Sequence, residues 1–153
     1  MIKLEINTRL FRIALTAAIA LAVVACDTTA TTADSTTGEV TPSGIEYVIT
    51  SSGATAYLFD GPDVDSSEHN PTITLQRGET YEFKNTTGTT HPFYIKFDDS
   101  AGSGNALGEN DGVTGDATGT TIFEVPADAP DTLYYICSVH SGMAGEFTIV
   151  DQE

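Results

Sequence analysis

Thr72-Ile73-Thr74-Leu75-Gln76-Arg77-Gly78-Glu79-Thr80-Tyr81-Glu82-Phe83-Lys84-Asn85 holds two short runs rich in β-branched and aromatic residues. The runs, 72–76 and 80–85, flank the turn pair Arg77-Gly78, which reads as a hairpin. In the second run Tyr81 and Phe83 alternate with Glu82 and Lys84, so one strand face would be apolar and the other wet. Similar runs recur at 45–50, 56–60, 92–97, 120–125, 132–137 and 146–150, with Ser52-Gly53, Asn70-Pro71 and Thr87-Gly88 as turns between them. In 92–97 the same alternation sets Phe93, Ile95 and Phe97 against Tyr94 and Lys96. No segment carries an apolar stripe at helical spacing, and no repeat is visible. The expected fold is all-β, a Greek-key sandwich or barrel of about eight strands.

Composition divides the 153 residues into three parts. Lys3, Arg9 and Arg12 precede the apolar run 13–25, which is too short to span a bilayer comfortably and reads as a signal peptide. It ends Val23-Val24-Ala25-Cys26, which resembles the lipobox of bacterial lipoproteins. That resemblance implies cleavage before Cys26 and a lipid on its thiol. Residues 27–43 are Thr-rich and too poor in large apolar side chains to fold alone, so 26–43 reads as a lipidated tether. Fully extended, it reaches about 55 Å. Residues 44–153 are enough for one domain with a single core. The protein is expected to be exported and held on a bacterial membrane only by its lipid, facing the periplasm or the cell exterior.

The chain has two cysteines. With Cys26 acylated, Cys137 has no disulfide partner, and a lone thiol in an exported protein needs an occupant. Its neighbours suggest one. Cys137, His140 and Met143 stand within seven positions, and His91 lies upstream. A thiolate, two imidazoles and a thioether form a donor set for one copper ion cycling between Cu(I) and Cu(II). Soft sulfur suits the cuprous state, the imidazoles hold the cupric state, and a weak axial Met tunes the balance. Zinc is the rival, because Cys and His bind it too, but Met is a poor zinc ligand. Taken singly, each residue has a structural reading: a buried small hydrophobe, a hydrogen-bonded His, a core Met. His69, between Glu68 and Asn70, is expected to be exposed and not a ligand.

Phe83-Lys84-Asn85, a turn and then His91 on a strand resemble the first half of a cupredoxin site. Residues 134–145, Tyr-Tyr-Ile-Cys-Ser-Val-His-Ser-Gly-Met-Ala-Gly, resemble the second half, with the short Cys-x-x-His-x-x-Met spacing of amicyanin-like members. The resemblance covers 72–150 and implies a blue (type 1) copper protein with ligands His91, Cys137, His140 and Met143. Cys137 would end one strand and Met143 precede the next, making a tight hairpin. Gly142 and Gly145 would permit its turns. Ile136, Val139, Met143 and Ala144 would exclude water. One departure is Pro92: this position is usually Asn in the small electron carriers, and Pro has no N–H to donate to the thiolate. His-Pro also occurs in multicopper oxidases, but their two further His on this strand are here Tyr94 and Lys96.

The segment 98–119 is long for a sandwich connection and reads as a solvated surface loop beside the metal. Asp111 and Asp116 do not have the spacing of an EF-hand. Formal charge is −16, and without the signal peptide about −18, with only Arg77, Lys84 and Lys96 positive. Such a surface excludes nucleic acid and charge-driven binding to anionic membranes. It suits redox partner proteins such as a basic c-type cytochrome, or simply solubility in salt. No nucleophile motif, phosphate loop or second metal cluster points to an enzyme. The expectation is a monomeric single-electron carrier; a copper storage or delivery lipoprotein is the alternative.

Overall fold

The computed structural model describes residues 44–153. The signal peptide, Cys26 and the tether lie outside the described residues. Nine strands form two sheets: β1 (Ile45–Ser52), β2 (Ala56–Asp60), β3 (Ile73–Gln76), β4 (Thr80–Asn85), β5 (Phe93–Lys96), β6 (Val113–Gly115), β7 (Thr120–Glu124), β8 (Thr132–Cys137) and β9 (Ala144–Val150). One sheet runs β2-β1-β4-β7-β6 and the other β3-β9-β8-β5. β1–β4 and β3–β9 are parallel, and the remaining pairs antiparallel. The all-β sandwich is as expected. The additional strand is β6, three residues inside the segment read as loop.

The inward faces meet through aromatic rings. Phe83 of the first sheet lies 5.4 Å, centroid to centroid, from both Phe93 and Phe147 of the second. Phe59 packs edge-on against Tyr135 at 4.9 Å. All five are fully buried. A buried aromatic of this size contributes on the order of 2–3 kcal/mol through removal from water alone. Tyr81 and Phe83 face inward and Glu82 and Lys84 outward, as their alternation predicts.

Arg77-Gly78 does not make a hairpin. It is a corner that carries the chain from β3 in one sheet to β4 in the other. Arg77 N–H donates to the Val150 carbonyl and Gly78 N–H to that of Val125, while Gly78 adopts φ +81°. Alternation fixes which way a strand faces, but not which strand it pairs with, and the two runs pair elsewhere.

β5 departs from its predicted alternation. Phe93 and Ile95 are buried, but Lys96 is fully buried too and Phe97 is half-exposed. β5 is an edge strand, and edges need cover. Here the chain folds back over the outer face: Ala106 bridges Lys96, and Leu107 N–H donates to the Ile95 carbonyl. The Lys96 ammonium is satisfied under this cover by the Ser100 carbonyl and hydroxyl (2.5 and 2.8 Å) and the Gly102 carbonyl (3.2 Å), with Asp98 at 3.5 Å. The segment 98–119 is therefore partly structural. Asp111 and Asp116 spend their carboxylates on local turns, accepting from Gly108 N–H, and from Thr118 N–H and hydroxyl.

Candidate metal centre

The strand register brings the chemistry-bearing residues to one end of the sandwich. Phe93 on β5 pairs with Cys137 at the end of β8, and Ile136 pairs with Ala144 at the start of β9. The loop 138–143 is therefore the turn of a β8–β9 hairpin, as its sequence predicts. It is closed by three backbone bonds: Cys137 N–H to Met143 O (2.8 Å), Met143 N–H to His140 O (3.0 Å) and Ser138 N–H to Pro92 O (3.2 Å). The last ties the loop to the entry of β5. His91 lies not on a strand but just before one, at the end of the 3-10 turn Gly88–Thr90.

Cys137 Sγ, His91 Nδ1 and His140 Nδ1 converge. The two nitrogens are 3.0 Å apart, and the sulfur is 4.0 Å from His91 and 3.7 Å from His140. A point equidistant from the three atoms lies about 2.1 Å from each, matching bonds of roughly 2.0–2.3 Å from a first-row metal to imidazole and thiolate. Among the described residues, no other group of three His, Cys, Asp or Glu side chains comes as close. No carboxylate belongs to the group, so the donor set is soft. Cys137 and His91 are buried, and His140 is half-buried. Met143 is completely buried at the end of the same loop. His69 is exposed and outside the group.

Burial, and after it the neighbouring His140, hold the His91 pKa below its usual value, so the neutral, metal-binding form is favoured. The His91 carbonyl accepts from two side chains, the Tyr57 hydroxyl (2.8 Å) and Asn85 Nδ2 (2.8 Å), and the Thr87 hydroxyl oxygen lies 3.2 Å from it. Asn85 also donates to Ala117 O (2.9 Å) and accepts from Thr87 N–H and hydroxyl (3.0 and 2.6 Å). Asn85 was visible in the sequence as a polar residue on the inward period of Tyr81 and Phe83. Tyr57 was not, because nothing local shows that its hydroxyl reaches across to residue 91.

Two details of the loop differ from expectation. Gly142 and Gly145 do not have positive φ. Gly145 is needed for space, since a Cβ there would sit 2.2 Å from the Tyr135 hydroxyl. Val139 is 60% exposed and seals nothing; Ile136 and Met143 are the buried neighbours.

No family model and no curated protein matches the sequence. Among solved structures, the chain is similar to the copper protein rusticyanin, at 17% identity and TM-score 0.45, over 70% of this chain and 76% of that one. A rusticyanin structure from Thiobacillus ferrooxidans gives 16% and 0.40, over 70% and 76%. A multicopper oxidase from Campylobacter jejuni gives 17% and 0.33, over 71% of this chain but 26% of that one. These likenesses are distant. Among the described residues the chain is a two-sheet sandwich with a His–Cys–His group at one end, and the soft donor set of that group fits a single copper ion.

Proposed function

We propose that the protein is a type 1 copper protein that carries single electrons, with His91, Cys137, His140 and Met143 as ligands. The observation carrying this is the convergence of one thiol and two imidazoles at metal-bond spacing without a carboxylate. Bound copper would supply a one-electron Cu(I)/Cu(II) couple. The chain's own residues do the rest. The sandwich fixes His91 through its carbonyl, and the hairpin presents the other donors. Met143, buried in the same core cluster as Cys137, keeps water from the thiolate, which limits rearrangement between oxidation states.

This reading is of a carrier rather than an enzyme. The positions that would extend the site towards an oxidase cluster are Tyr94, and Lys96 with its ammonium tied to the 98–102 turn. Lipidation at Cys26 would anchor the domain to a bacterial membrane, facing the periplasm or the cell exterior. Gly44, where the tether joins, lies beside Thr80 at the opposite end of β4 from Asn85 and the donors. The acidic surface suits a cationic redox partner such as a basic c-type cytochrome. Electron transfer to such a cytochrome should slow steeply with added salt, while transfer to a neutral one should not.

Titration with Cu(II) tests the reading. An intense visible thiolate-to-copper band, lost in Cys137→Ser, is expected. A colourless, tight Cu(I) complex with no Cu(II) band would instead indicate storage or delivery.

A further inference from the structure

The edge strand β2 is not adjacent to any strand that carries a donor, yet it touches both halves of the site. Through its hydroxyl, buried Tyr57 donates to the His91 carbonyl at 2.8 Å. Its backbone is bound on both sides to one residue: Tyr57 N–H donates to Asn70 Oδ1 and Asn70 N–H to Tyr57 O, each at 2.9 Å. Asn70 Nδ2 then donates to the Gly142 carbonyl at 3.0 Å, inside the ligand loop. Asn70 sits at φ +51°, a conformation Asn tolerates better than most residues. Tyr57 and Asn70 thus form one continuous connection from the backbone of His91 to the backbone of the loop that carries His140 and Met143.

We infer that Tyr57 is a positioning residue of the metal centre: with Asn70 it sets the separation between His91 and the 138–143 loop. This rests on the proposed copper reading. The ring is held by edge-on packing against Phe93 at 5.7 Å and Tyr135 at 6.3 Å, so the hydroxyl has little freedom.

The test compares copper-loaded full-length protein with Tyr57→Phe, Asn70→Asp and Tyr47→Phe. Tyr57→Phe keeps the ring and removes only the hydroxyl. It should weaken copper affinity about ten- to a hundredfold, shift the visible band and change the reduction potential. Asn70→Asp keeps the acceptor for Tyr57 N–H but loses the donor to Gly142, and should shift all three in the same sense by less. Tyr47→Phe removes a phenol hydrogen bond of similar kind, to Pro62 O, away from the donors, and should leave affinity, band and potential unchanged. If wild type shows no copper–thiolate band, the underlying copper reading fails. If wild type shows it and Tyr57→Phe matches wild type, or Tyr47→Phe shifts the site equally, this inference alone is overturned.

Discussion

The two imidazoles of the site bring their Nδ1 atoms to 3.0 Å, yet they are held in different ways. His91 is buried, and its carbonyl is gripped by side chains from β2 and β4. His140 is half-exposed on a loop closed by backbone hydrogen bonds and flanked by exposed Val139. One donor belongs to the core and the other to the surface. The rigid half defines where the ion sits. The surface half leaves its imidazole partly open to solvent.

The largest effects should come from attacking the rigid half. Asn85→Ala removes four hydrogen bonds and strands buried carbonyl and amide groups around His91. It should cost about 3 kcal/mol in urea unfolding of the metal-free protein, and weaken metal binding as well. Gly145→Ala tests the loop's close approach to Tyr135. A Cβ at 2.2 Å from that hydroxyl must displace it or the strand, at about 1–3 kcal/mol. Val139→Ser, on the exposed side of the loop, should change stability by less than about 0.5 kcal/mol. If Asn85→Ala proved as mild as Val139→Ser, the distinction between the halves would fail.

Acid provides a finer probe. The His91 pKa is depressed in the fold, chiefly by burial. As pH falls, the unfolded chain therefore takes up this proton first. Metal-free protein should keep its full stability above about pH 6.5 and lose it as pH drops through that value, levelling once the folded imidazole also protonates. Urea midpoints across this range should show the loss, and His91→Gln should flatten it.

Much of this was legible in the sequence because it is local. The β8–β9 hairpin follows from strand-forming residues on either side of the six-residue stretch 138–143, which includes Ser138, Ser141 and Gly142, and its ends fall at Cys137 and Ala144. Inward Tyr81 and Phe83 follow from alternation. What was not legible depends on residues far apart in the chain. Arg77-Gly78 reads equally well as hairpin or corner until the partners of β3 and β4 are known. Lys96 looked solvated because the turn that covers it arrives only after Phe97. Tyr57 lies thirty-four residues from His91, and its role comes wholly from their meeting in space.

The account stands on three donor atoms sharing one ion. Titrating the full-length protein with Cu(II) while recording its visible spectrum tests this most directly. One equivalent should produce an intense thiolate-to-copper band that bleaches on one-electron reduction and is absent in Cys137→Ser. A spectrum without that band, or one that Cys137→Ser leaves unchanged, would contradict it.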